Sequence, residues 1–170
     1  GTRNFVVSQV PTVPIEANVI LVENVLQALQ KIAQHKRESF GGRVVGITGS
    51  NGKTIVKEWL ATILETSHAI VKSPGSYNSQ IGVALSVWQL NDKTDLGIFE
   101  AGISKPNEMS TIGQIIQPEL GIFTNVGTAH QENFESVEDK ICEKLNLFKN
   151  CDHLILRADH AELITIAKRE

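Results

Sequence analysis

Cysteine is scarce in this sequence: Cys142 and Cys151 are the only two among 170 residues. Two thiols cannot build the disulfide framework of a small secreted fold, and they show none of the paired spacings that hold zinc. Glycine and proline, 13 and 5 residues, stay far below the level of a low-complexity or collagen-like chain. Long hydrophobic runs are missing too. The longest, such as Val19–Val22, reach about four residues, far short of a membrane span. The first residues carry no basic stretch followed by an apolar one, so they do not read as a secretion signal. Charge of one sign is also lacking: net charge is −3, with no basic or acidic run, which argues against a general nucleic-acid binder. What is present is a 41% share of hydrophobic residues, ample for a packed core. The expectation is a soluble protein of a reducing compartment, the cytoplasm.

The chain changes rhythm near Gly41-Gly42. Before that break, Phe5-Val6-Val7 and Val19–Val22 have β character but are separated by Pro11 to Pro14, which suits linker or edge strands rather than central sheet. Asn24 then fits a helix N-cap, and Val25, Leu29, Ile32 and Ala33 recur at helical spacing to about Arg37, a helix with little apolar surface. After the break, strands and helices alternate. Strands are expected at Arg43–Thr48, Ala69–Val71, Leu96–Glu100, Leu120–Asn125 and His153–Leu156. Helices are expected at Lys53–Thr66, Ile81–Leu90, Pro106–Ile116, Ser136–Lys149 and from Ala161 to Ala167. The strands are too apolar for a half-exposed sheet. The fold class is therefore α/β, with about five mostly parallel strands covered by helices on both faces.

The strongest local signal is Gly46-Ile47-Thr48-Gly49-Ser50-Asn51-Gly52-Lys53-Thr54, a strand entering a glycine-rich turn and then a helix. Binding a triphosphate requires backbone N–H groups to converge on anionic oxygens, which glycines permit. Gly49, Ser50, Asn51 and Gly52 would supply that cradle. It also requires a cation near the β- and γ-phosphates, which Lys53 fits, and a hydroxyl for a magnesium ion, which Thr54 fits. The helix N-terminus adds its dipole. The strict phosphate-loop pattern places a glycine where Ile47 stands, so this loop is a variant. An ordinary glycine-rich strand-to-helix turn is the plainer reading.

Two further strands end in polar residues. Leu96–Glu100 is apolar until its terminal carboxylate, and the carboxyl ends of parallel strands line the ligand crevice of such sheets. Glu100 could hold magnesium, a hard cation that prefers oxygen, or be an exposed strand-end charge. Thr124-Asn125-Val126-Gly127-Thr128-Ala129-His130 follows the next strand, which would bring His130 to the same edge.

These stretches resemble a known family. Gly49-Ser50-Asn51-Gly52-Lys53-Thr54 is similar to the ATP-binding loop of the Mur ligases, which build the peptide of bacterial cell-wall precursors, and also to that of folylpolyglutamate synthases. Lys57-Glu58, Tyr77-Asn78-Ser79-Gln80-Ile81-Gly82 and Asn125–His130 narrow the resemblance to the MurF type, in which Ala129 stands where other Mur ligases have Asp. It covers about residues 43–156. Residues 1–40 would then be the tail of an N-terminal UDP-binding domain, and 41–170 a central ATP-binding domain cut short at its C-terminus.

The resemblance implies an ATP-dependent ligase, with magnesium, that joins D-alanyl-D-alanine to UDP-N-acetylmuramoyl-tripeptide through an acyl phosphate. It implies that Lys53 holds the γ-phosphate, that Thr54, Glu100 and His130 bind magnesium, and that Lys144 becomes a carbamate that positions the metal. From the residues alone, Lys144 would be a solvated helix lysine. Ser79, Gln80, Glu135 and Lys144-Leu145-Asn146 depart from the common pattern and look like the branch fused to alanine racemase. Two other readings compete: a nucleotide-binding module without catalysis, because the domain that binds the amine lies outside these residues, and an unrelated phosphate-loop NTPase. A GTPase would carry Asn-Lys-x-Asp, which is absent.

Overall fold

A computed structural model describes residues 2–127 and 131–169. Two short strands, β1 (Asn4–Val7) and β2 (Asn18–Leu21), pair in parallel as a separate two-stranded sheet. Helix α1 (Val25–Glu38) follows, and the Asn24 side chain accepts a hydrogen bond from the Gln27 amide at 3.0 Å, as its N-cap position demands. The remainder alternates: β3 (Arg43–Thr48), α2 (Lys53–Leu64), β4 (Ile70–Lys72), α3 (Gln80–Val87), β5 (Leu96–Glu100), α4 (Glu108–Ile116), β6 (Leu120–Phe123), α5 (Val137–Leu145), β7 (His153–Leu156) and α6 (Ala161–Ala167).

The second sheet has the order β4-β5-β3-β6-β7, and every described pairing in it is parallel. The chain leaves β3 toward one edge, returns to it through β5, then crosses to β6 on the other side. That reversal puts the carboxyl ends of β5 and β6 on either side of the end of β3, where an open parallel sheet forms its ligand crevice.

Period-two alternation divides the core between the two faces. Val45, Ile47, Leu96 and Ile98 meet Ala61 of α2. Val44, Phe99 and Phe123 point the other way, into a larger core with Ala33 of α1, Val83 and Val87 of α3, and Ile112 of α4. Strand β5 is buried along its whole length. Among the described residues no helix is long and apolar enough to cross a membrane.

Several element ends differ from the expectation. Helix α3 stops at Val87 rather than Leu90, and the Gln89 and Leu90 amides close it by bonding back three residues to Ser86 and Val87. Helix α5 ends at Leu145, and a single 3-10 turn over Asn146–Phe148 completes the stretch. Strand β6 ends at Phe123 instead of Asn125, because Thr124 and Asn125 turn away to serve the glycine-rich loop. Helix α1 has little apolar surface, and a cation docks it. Buried Arg37 donates to the Ile116 and Gln117 carbonyls at 2.8 and 2.7 Å and to Glu119 at 2.5 Å. Glu119 also accepts the Val44 amide at 2.7 Å, which ties α1 to the central strand.

Candidate functional site

The loop between β3 and α2 owes its shape to two glycines. Gly49 has φ +142°, and a Cβ there would lie 2.0 Å from Thr124 Oγ1 and 3.0 Å from the Asn125 nitrogen. Gly52 has φ +82° and sits at the N-cap of α2 without a side-chain cap. The end of β6 holds the loop from the side. The Ser50 amide donates to the Asn125 carbonyl at 2.9 Å, and the Asn51 amide donates to Asn125 Oδ1 at 2.9 Å. Thr124 Oγ1 donates to the Asn51 carbonyl at 2.6 Å, and Ser50 Oγ accepts the Gly127 amide at 2.9 Å. From sequence, Thr124 and Asn125 read only as the approach to His130. Their direct hold on the loop could have been suspected from two polar residues placed immediately after a buried strand.

Lys53 begins α2 and folds back so that its Nζ donates to the Gly49 carbonyl at 2.9 Å. Burial lowers its affinity for a proton, and the nearby Glu100 carboxylate works against that effect. Thr54, the next residue, donates through Oγ1 to Glu100 Oε2 at 2.9 Å. Glu100 has no exposed surface, so it is not an exposed strand-end charge. Its Oε1 accepts from Asn78 Nδ2 at 3.3 Å, and its amide donates to Ser73 Oγ at 3.2 Å.

Lys144 on α5 closes the far side. It is 4% exposed, which excludes the solvated helix lysine of the plainer reading. Burial, followed by repulsion from Lys53 and Lys140, lowers its pKa to about 7, with Glu143 opposing. Lys140, one turn earlier, is fully buried and donates to the Gly127 carbonyl. Burial lowers its pKa as well. Sequence reasoning missed Lys140, since nothing in a Lys-x-x-x-Lys spacing on an amphipathic helix announces burial.

Gly49, Ser50, Lys53, Asn78, Glu108 and Lys144 are among the residues around a cavity of about 130 Å³. The structure thus gathers the glycine turn with Lys53 and Thr54, the end of β5 with Glu100, and Lys144 along one rim of the sheet. His130 lies outside the described residues. A glycine turn and a helix N-terminus beside a group of lysines suit an anion. A hydroxyl and a carboxylate in contact beside it are hard oxygen donors, the kind magnesium takes. Among the described residues no three His, Cys, Asp or Glu side chains gather.

Comparison with known proteins agrees with this geometry. The UDP-N-acetylmuramoyl-tripeptide–D-alanyl-D-alanine ligase of Rickettsia prowazekii is 35% identical over 150 residues, covering 88% of this chain and 33% of that protein. The ligase of the same name from Bacillus subtilis is 34% identical over 138 residues, covering 81% of this chain and 30% of that protein. The chain therefore spans about a third of the length of these curated relatives. The crystal structure of MurF ligase from Thermotoga maritima in complex with ADP superposes with a TM-score of 0.85 at 29% identity, over 96% of this chain and 39% of that one. The family model for the Mur ligase middle domain matches residues 47–170, and the chain belongs to that family.

Proposed function

We propose that the chain is the ATP-binding part of a ligase that joins D-alanyl-D-alanine to UDP-N-acetylmuramoyl-tripeptide in the cytoplasm. The observation that carries the reading is the convergence of Gly49–Thr54, Glu100 and Lys144 on one rim, in a chain whose relatives bear that ligase name. Residues 1–40 form the tail of a UDP-binding domain and 41–170 the central domain. The separate β1–β2 sheet supports that division for residues 4–21, whereas α1 packs Ala33 and Arg37 into the central domain. The departures at Ser79, Gln80, Glu135, Leu145 and Asn146 support the branch fused to alanine racemase.

In this reaction a carboxylate oxygen of the tripeptide attacks the γ-phosphorus of ATP, and ADP leaves to give an acyl phosphate. The amine of D-alanyl-D-alanine then adds to the acyl carbon, loses its proton, and expels phosphate as the amide forms. Phosphoryl transfer depends chiefly on positioning and charge neutralisation. The Ser50 and Asn51 amides are held by Asn125, so the Gly52 turn and the amides of the first turn of α2 orient the phosphates. Lys53, released from the Gly49 carbonyl, places its ammonium against the γ-phosphate oxygens, where negative charge accumulates. Thr54, Glu100 and His130 would hold magnesium, which when bound neutralises phosphate charge. With a pKa of about 7, a substantial share of Lys144 is neutral amine near neutral pH. That form can add to carbon dioxide: an N–C bond forms, a proton leaves to solvent, and an anionic carbamate replaces a cation.

The test is phosphate release by the full-length protein. Release should require ATP, the UDP-muramoyl-tripeptide and D-alanyl-D-alanine together. Release that ignores the dipeptide, or that is driven by glutamate and a folate, would overturn the reading in favour of another ligase of the same fold. The 170 residues alone should bind ATP in a calorimeter without releasing phosphate, since the amine site lies on another domain. Turnover by them alone would refute that part.

A further inference from the structure

Lys57-Glu58 is a stretch singled out in the sequence that the proposed chemistry leaves without a task. Lys57 lies on α2 one turn after Lys53 and Thr54, has no exposed surface, and is among the largest fully buried side chains. Burying an ammonium costs several kcal/mol unless oxygens surround it. Three do so here. Lys57 Nζ donates to the Ser73 carbonyl at 2.7 Å and to the Gly75 carbonyl, and it pairs with Glu58 Oε1 at 3.1 Å. Glu58 is in turn bound by Lys72 of β4, and the hydrogen bonds from Lys72 and then Lys57 hold its carboxyl below the ordinary value.

Two of the acceptors are the ends of one short turn, Ser73-Pro74-Gly75. That turn delivers two groups to Glu100. Ser73 Oγ accepts the Glu100 amide at 3.2 Å, and Asn78, which follows the turn, donates to the Glu100 carboxylate at 3.3 Å. Gly75 has φ +48°, and the Tyr77 amide closes onto the Pro74 carbonyl at 3.1 Å, so the turn is tight. Asn78 is anchored further on, where its carbonyl accepts the Gly102 amide at 2.8 Å. Glu100 is thus held by three residues. Thr54 comes from the first turn of α2, and Ser73 and Asn78 come from a segment clamped to the second turn of the same helix.

We propose that Lys57 is a positioning residue for the metal-holding carboxylate: through the Ser73–Gly75 turn it locks Glu100 in register with Thr54, so the two oxygen donors are preorganised before nucleotide arrives. The proposal rests on the reading of Glu100 and Thr54 as magnesium donors. Outer groups that orient a ligand typically change metal affinity by about 10–100-fold when removed.

The experiment measures ATP affinity of the full-length protein by calorimetry, with magnesium and with EDTA, for wild type, Lys57→Met and Ser73→Ala. If magnesium does not strengthen ATP binding in the wild type, the metal-site reading itself fails, whatever the variants do. If it does, Lys57→Met is expected to reduce that enhancement about tenfold while metal-free affinity, which depends on the loop amides and Lys53, stays within about twofold. Ser73→Ala keeps both carbonyl acceptors of Lys57 and removes only the link to the Glu100 amide. It is expected to reduce the enhancement roughly threefold, the size of one hydrogen bond. Equal losses with and without magnesium in Lys57→Met would make Lys57 a core strut and overturn the proposal. So would an unchanged enhancement in Ser73→Ala, which decides the matter if Lys57→Met does not fold.

Discussion

Lys57 and Lys144 are two lysines almost without exposed surface, at 0% and 4%; Lys144 lines the cavity, and Lys57 lies on α2 one turn beyond Lys53. Lys57 is enclosed by three oxygens of its own chain, two carbonyls and a carboxylate. Lys144 stands in the field of Lys53 and Lys140, and burial together with those cations brings its pKa to about 7. Lys53, Lys140 and Lys144 are all held below the ordinary lysine value, burial being the first cause in each. The difference separates two uses of a buried cation. One that is satisfied internally fixes the position of other groups. A set of like charges held close together gains from an arriving anion, which offsets their mutual repulsion. The carboxylate side of the cleft is therefore built in advance, and the lysine side is completed by its ligand.

Substitutions can break this contrast in order of effect. The largest loss is expected for Lys53→Ala, which removes a cation from the developing charge. ATP turnover by the full-length protein should fall on the order of 10²–10³. Steady-state phosphate release checks this, and a loss below tenfold would detach Lys53 from the chemistry. Next is Gly49→Ala, which puts a Cβ against Thr124 and Asn125 at φ +142°. Backbone strain of this kind costs about 1–3 kcal/mol. Urea denaturation should show that loss, together with weaker nucleotide binding.

A third substitution sharpens the comparison through pH. Folded Lys144 gives up its proton near pH 7, whereas the unfolded chain holds it to the ordinary value of 10.5. Between those values the unfolded state binds more protons, so Lys144 makes stability rise with pH across that window. Below pH 7 the cost of burying its charged form is present in full. Lys144→Met should therefore be more stable than wild type near neutrality and show a shallower rise toward pH 10 in denaturation midpoints. An identical slope would show that Lys144 is not a source of the rise.

Most of the fold was legible because its strands are short, apolar and bounded by clear breaks. β5, β7 and α6 fall where periodicity puts them, and the Asn24 cap marks the start of α1. The glycine turn was legible for the same local reason. What could not be read was set by partners distant in sequence. Lys57 and Lys140 look like ordinary helix lysines until the Ser73, Gly75 and Gly127 carbonyls that accept from them are in place. The docking of α1 was hidden likewise, since Arg37 finds its acceptors about 80 residues away. Lys144 is singled out only by the family resemblance, which gives it a carbamate role; its burial is not legible, because its spacing alone suits a solvated face.

The account turns on the terminal phosphates lying between the glycine turn and the Thr54–Glu100 pair. A crystal structure of the full-length protein with a non-hydrolysable ATP analogue and magnesium tests this most directly. The account predicts phosphate density against Gly49–Lys53 and metal density in contact with Thr54 and Glu100. Nucleotide bound elsewhere on the sheet, or metal density remote from Glu100, would contradict it.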